Sequence, residues 1–191
     1  MDKSELNEKL IVASGKGCLE DVINLLENGA EVNPVTTNKK PWTPLHNACA
    51  GYDTNVKVCK ALIEHGADVN VWNGAGATPL STAAFWNNVE IGKLLLDSGA
   101  EIDKKSSCDD TPLYIAVRWG SFEFCKMLIE RNADPNIRCD FDDSETPLNL
   151  AEAYANDEMD TDLFDEMPMP IEKYIELVKI MKEHLQLIDN Q

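Results

Sequence analysis

The chain has 191 residues, 43% of them apolar and 27% charged, which is enough apolar surface for one domain or one short array. A formal net charge of −17 sets it against nucleic-acid backbones and anionic membrane surfaces as partners. No stretch approaches the ~20 apolar residues of a membrane span, and the amino terminus, MDKSELNEKLIVASGKG, lacks an apolar run of signal-peptide length.

Along the chain two phrases alternate at one period. The first is LLENGAEVN (25–33), followed by LIEHGADVN (62–70), LLDSGAEID (95–103) and LIERNADPN (128–136). Between them Thr-Pro-Leu starts at Thr43, Thr78, Thr111 and Thr146, at intervals of 35, 33 and 35 residues. Each phrase has a physical role. Thr caps an orphan N–H of a new helix, and Pro at the first helical position loses no hydrogen bond. Small residues follow where a neighbouring helix must approach: Ala48-Cys49, Ala83-Ala84, Ala116-Val117 and Ala151. A second, amphipathic helix, such as Phe122 to Glu130, then ends at Gly29, Gly66 or Gly99, with Asn132 in the fourth place. These residue types suit the left-handed position past a helix end.

The spacing divides the chain into five units, about 5–37, 38–71, 72–104, 105–137 and 138–188, in one domain. The first is atypical, with Glu8-Lys9-Leu10 where the others have Thr-Pro-Leu. The second gains two residues near Tyr52-Asp53. In the last, an acidic insertion (156–170) precedes a capping helix over roughly 170–188, whose apolar stripe is expected to be Tyr174, Val178, Met181, Leu185 and Ile188.

The phrases TPLHNACA (43–50), ALIEHGADVN (61–70) and TPLYIAVRWG (111–120) resemble the ankyrin repeat, and the resemblance covers nearly the whole chain. It implies an all-α repeat solenoid of helix-turn-helix units with projecting hairpin loops. It further implies a protein-binding module: a scaffold or adaptor, or else an inhibitor, assembly chaperone or host-directed bacterial effector using the same surface.

Catalytic chemistry finds no residue set. The resemblance implies that His46 bonds to loop backbone; His65 suits a helix C-terminus, and His184 lies on the capping helix. No C-x-x-C pair or zinc spacing occurs among the six cysteines. Cys49, Cys59 and Cys125 fall in buried registers, while Cys108 and Cys139, in loops, are expected to expose thiols. No enzyme, metal or cofactor is expected, and a soluble, cytoplasmic monomer is, with the nucleus left open.

Aromatic residues carry the functional expectation. Phe85-Trp86 and Arg118-Trp119 lie 33 residues apart, with Tyr154 in the same register of the fifth unit. The resemblance places this register on the concave face, and Trp42 and Trp72 in the hairpin loops bordering it. The acid block supplies the other end. Eleven carboxylates and no Lys or Arg lie between Cys139 and Pro170, among them Asp142, Asp143 and Glu145. That block would dock a basic segment of a partner protein and make binding salt-sensitive. Leu163-Phe164 within it is a candidate docking motif. Asn70, in ALIEHGADVN, resembles ankyrin-repeat sites of asparaginyl hydroxylation, although such an Asn also suits a loop turn.

Overall fold

The structure, a computed structural model, describes residues 2–34, 42–51, 55–139, 145–156 and 168–189. Ten α-helices occupy them: α1 (Lys3–Lys16), α2 (Leu19–Glu27), α3 (Pro44–Cys49), α4 (Val56–Glu64), α5 (Pro79–Phe85), α6 (Val89–Asp97), α7 (Pro112–Arg118), α8 (Phe122–Glu130), α9 (Pro147–Ala155) and α10 (Ile171–Asp189). Each odd-numbered helix packs on the even-numbered helix that follows it. The odd helices also stack in series as an inner layer, and the even helices as an outer one. The all-α repeat solenoid that the resemblance implies is the observed architecture of the described residues.

Local chemistry explains the starts and stops. The side chains of Thr43, Thr78, Thr111 and Thr146 accept the backbone N–H of His46, Ser81, Tyr114 and Asn149, and a proline opens each of these helices. Past α2, α4 and α6 the chain turns through Gly29, Gly66 and Gly99 at φ of 91°, 87° and 90°. Asn132 does so after α8 at 67°. The Thr-Pro-Leu leucines and Leu62, Leu95 and Leu128 fill the core between layers. Each such side chain contributes about 1.5–3 kcal/mol by leaving water. Ala48, Ala83, Ala116 and Ala151 are fully buried where inner helices meet.

Polar staples hold successive repeats in register. Asn55 Nδ2 donates to the carbonyls of Ser14 and Ala48 at 3.2 Å, and Asn88 Nδ2 to those of Cys49 (2.8 Å) and Gly51 (2.6 Å). In the loops, Asn33 Nδ2 donates to the Gly66 carbonyl while its Oδ1 accepts the Asp68 N–H. Asn70 repeats the pattern with Gly99 and Glu101. His46 reaches the next hairpin: Thr43 Oγ1 lies 2.8 Å from its Nδ1 and the Ala77 carbonyl 2.9 Å from its Nε2. A carbonyl can only accept, so Nε2 carries the proton. Burial holds the imidazole pKa down to about 4, so it is neutral at pH 7.

The two ends depart from the repeat. α1 has 14 residues against six or seven for α3, α5 and α7, and lacks a side-chain cap. At the other end α10 closes the array over α8 and α9. Its buried residues are Tyr174, Leu177 and Met181, so the expected stripe holds at Tyr174 and Met181 and differs between and beyond them. Leu177 takes the central place, Val178 is half-buried, and Ile188 is 48% exposed. Tyr174 sets this register by stacking on Tyr154 at 4.6 Å.

Candidate functional site

The inner helices end in rings. α5 terminates at Phe85 and is followed by Trp86; α7 terminates at Arg118 and is followed by Trp119. One repeat separates each pair, so the stacking of α5 on α7 brings them side by side. Phe85 lies between the indoles, with ring centroids 5.2 Å from Trp86 at 71° and 4.5 Å from Trp119 at 57°. These inclined geometries suit the aromatic quadrupole better than a flat sandwich. The rings nevertheless stay open to solvent: Phe85 is 38%, Trp86 54% and Trp119 42% exposed.

Opposite them stand two hairpins built on the same principle. Asn73 Oδ1 accepts the N–H groups of Ala75 (2.9 Å) and Ala77 (3.0 Å). One repeat on, Ser106 Oγ accepts those of Cys108 (3.1 Å) and Asp110 (3.2 Å). Each tip needs a left-handed residue, Gly76 at φ 78° and Asp109 at 69°. Between hairpins and inner helices lies a recess of about 450 Å³, walled by Trp42, Phe85, Trp86 and Trp119, with Asn73, Thr82, Asp110 and Ile115 among its other lining residues. Trp42 enters from the preceding loop and meets His46 edge-on at 6.2 Å.

The recess thus gathers Trp42, Phe85, Trp86 and Trp119. It does not gather the other expected residues. Trp72 is exposed but clipped to the next loop, its Nε1 donating to the Lys105 carbonyl at 3.2 Å with Lys104 over its ring. Arg118 is exposed and does not line the recess; its charge acts on Tyr114 and Tyr154. Tyr154 corrects an expectation: it is 3% exposed, stacked under Tyr174 of α10, so it offers nothing to a partner. The capping helix covers the slot that tryptophan leaves open in the two preceding repeats.

At the acidic end, Glu145 accepts the Tyr114 hydroxyl at 2.6 Å and its carbonyl accepts the Cys139 N–H at 2.7 Å. Burial, then the Glu145 carboxylate, pushes the Tyr114 hydroxyl pKa far up. Asp142, Asp143, Leu163-Phe164 and the insertion near Tyr52-Asp53 lie outside the described residues. Asn70 is engaged at both ends of its amide, joining two repeats rather than capping its own turn.

Among the thiols, Cys49, Cys59 and Cys125 are fully buried and Cys108 exposed, as expected. Cys139 is a second correction. It is fully buried, its Sγ 3.5 Å from both the N and Oγ1 of Thr111, and burial raises its pKa. No group of three or more metal-ligating side chains occurs among the described residues. No helix there is long and apolar enough to cross a membrane. Sequence reasoning missed Asn73 and Asp110 as wall residues; the signal available was their place in the hairpins beside the tryptophans.

Comparison with known proteins agrees with the stack. Residues 10–106 match three copies of the ankyrin repeat, and 108–140 match one more. The chain is 46% identical over 59 residues, or 31% of its length, to ankyrin repeat and SOCS box protein 16 of Mus musculus, and spans 12% of that protein. It is 41% identical over 80 residues, 41% of its length, to the 2-5A-dependent ribonuclease of Mus musculus, and spans 10% of it. Both similarities fall within repeats and leave the ribonuclease's catalytic part unmatched. With the repeat pattern matched over more than half of its residues, the chain belongs to the ankyrin-repeat family.

Proposed function

We propose that this chain is a non-enzymatic adaptor that binds a partner protein in the recess between its hairpins and inner helices. Ankyrin repeats are generally protein-interaction modules, and the aromatic lining of the recess supports that role for it here. The observation that carries the reading is the exposure of Phe85, Trp86 and Trp119 in one wall, with Trp42 beside them. Large apolar side chains gathered on a surface mark interaction sites, and tryptophan is among the residues that most often carry binding energy. Core demands do not explain them, because the inner helices already bury Leu80, Leu113 and their small neighbours. The net charge of −17 favours a partner that presents basic residues, with faster association at low salt.

The test is capture of partners from the native cell by the wild-type chain and by a Trp86→Ala/Trp119→Ala variant, followed by titration of the partner so identified. Losing one true hot spot costs about 2 kcal/mol or more, so the double variant should release the partner while melting as a folded protein. Equal affinity of both forms would remove the recess from the interface.

A further inference from the structure

We infer that the recess holds an arginine side chain of an extended partner segment, and that a main-chain carbonyl beside that arginine accepts a hydrogen bond from Asn73. This deepens the adaptor reading and rests on it.

Asn73 supplies the first observation. It is 5% exposed and its Oδ1 is fully used by the Ala75 and Ala77 N–H groups, yet its Nδ2 is buried with no hydrogen-bond partner among the described residues. The hairpin does not need that nitrogen. Ser106 performs the same turn one repeat later through a single oxygen. A buried donor left unpaired is destabilising, and Asn73 is among the residues lining the recess, so an acceptor that arrives with a ligand and draws this amide toward it would relieve that cost. In an extended peptide the recurring acceptor is the backbone carbonyl.

The walls supply the second. Four aromatic residues and the acidic Asp110 line the recess, and no Lys or Arg does so among the described residues. Ring faces and a carboxylate both attract positive charge. The inclined rings of Phe85, Trp86 and Trp119 offer flat faces against which a planar cation can lie. Guanidinium is planar and weakly hydrated, so it gives up less on leaving water than the compact lysine ammonium. An uncharged aliphatic chain would gain burial but none of the electrostatic attraction. The overall charge of −17 acts in the same direction.

The test uses the full chain and blocked pentapeptides, Gly-Gly-X-Gly-Gly, in which X is arginine, lysine, trimethyl-lysine or norleucine. Binding is followed by the indole N–H resonances of Trp42, Trp86 and Trp119. The arginine peptide should bind about ten-fold more tightly than norleucine, as a partly desolvated cation over aromatic faces requires. It should bind more tightly than both lysine forms. Asn73→Ser, which keeps the hairpin acceptor, should weaken the arginine peptide several-fold without lowering the melting temperature. Norleucine or either lysine form binding as well as arginine would overturn the inference, as would indifference to Asn73→Ser. If norleucine equals arginine and both are lost in Trp86→Ala, the arginine inference fails while the recess stands as a binding site. If the arginine peptide ignores Trp86→Ala, both readings fail.

Discussion

The Phe85 ring lies 4.5 Å from that of Trp119, one repeat along, inclined at 57°. This contact joins two repeats on their exposed side, where the core does not require a joint. Phe85 also touches Trp86 at 5.2 Å, so the three rings form one wall. Phe85→Ala should therefore leave both indoles in place but unsupported. Partner affinity should fall by about ten-fold or more, in the range of an interface hot spot. Stability should change by about 1 kcal/mol or less, since the ring is over a third exposed. Calorimetric titration and a thermal melt measure the two effects separately.

His46 makes stability depend on pH in a definite window. Its folded pKa is about 4 against an ordinary 6.5, because burial disfavours the imidazolium. Between those values the unfolded chain binds more protons than the folded one, so stability falls as pH falls. The contribution is complete above pH 6.5 and is lost progressively towards pH 4, by up to about 3 kcal/mol at 1.36 kcal/mol per unit. Acidification also relieves the self-repulsion of a strongly negative chain, which acts oppositely. Melts of wild type and His46→Gln across pH 4 to 7 isolate the histidine: the gap between them should narrow on acidification.

Asn88 is 7% exposed and donates to two carbonyls of the preceding repeat, at 2.8 and 2.6 Å. Asn88→Ala leaves those carbonyls facing each other without a donor. Such a loss costs about 1–3 kcal/mol, to be read from urea unfolding. Asn88→Asp, which puts a carboxylate against carbonyl oxygens, should cost more.

Gly92, in the middle of α6, tests how tightly the outer layer is packed. Alanine is the better helix former by about 1 kcal/mol, so helix propensity alone predicts a gain. A Cβ there would stand 2.6 Å from two ring carbons of Phe124, which is fully buried, and 2.8 Å from the Met127 methyl. Overpacking of this kind costs about 1–3 kcal/mol and should outweigh the propensity. Gly92→Ala should lower the melting temperature, and pairing it with Phe124→Leu should recover part of the loss.

Features determined within a few residues were legible in the sequence. The threonine caps, the prolines after them and the left-handed Gly29, Gly66, Gly99 and Asn132 depend on neighbours in the chain. Their recurrence puts Phe85, Trp86 and Trp119 in one register. What was not legible depends on elements far apart. Tyr154 occupies the same register as Trp119 but is buried, because α10 returns across it and stacks Tyr174 on its ring. Cys139 sits in a loop yet is buried, because its backbone pairs with Glu145 and its sulfur packs on Thr111. The stripe of α10 held at Tyr174 and Met181 and differed between them for the same reason: helical period gives a face, and only Tyr154 and its surroundings select Leu177 over Val178. The spare amide of Asn73 was invisible because an asparagine in a turn gives no sign of which of its atoms the turn uses.

The central claim, that the recess is the partner interface, is tested most directly by hydroxyl-radical footprinting of the chain alone and in complex with its captured partner. Trp42, Phe85, Trp86 and Trp119 should lose reactivity on binding. Val12 and Leu187, exposed at the two ends of the array, should keep theirs. Protection of Val12 or Leu187 with the four recess residues unchanged would contradict the account.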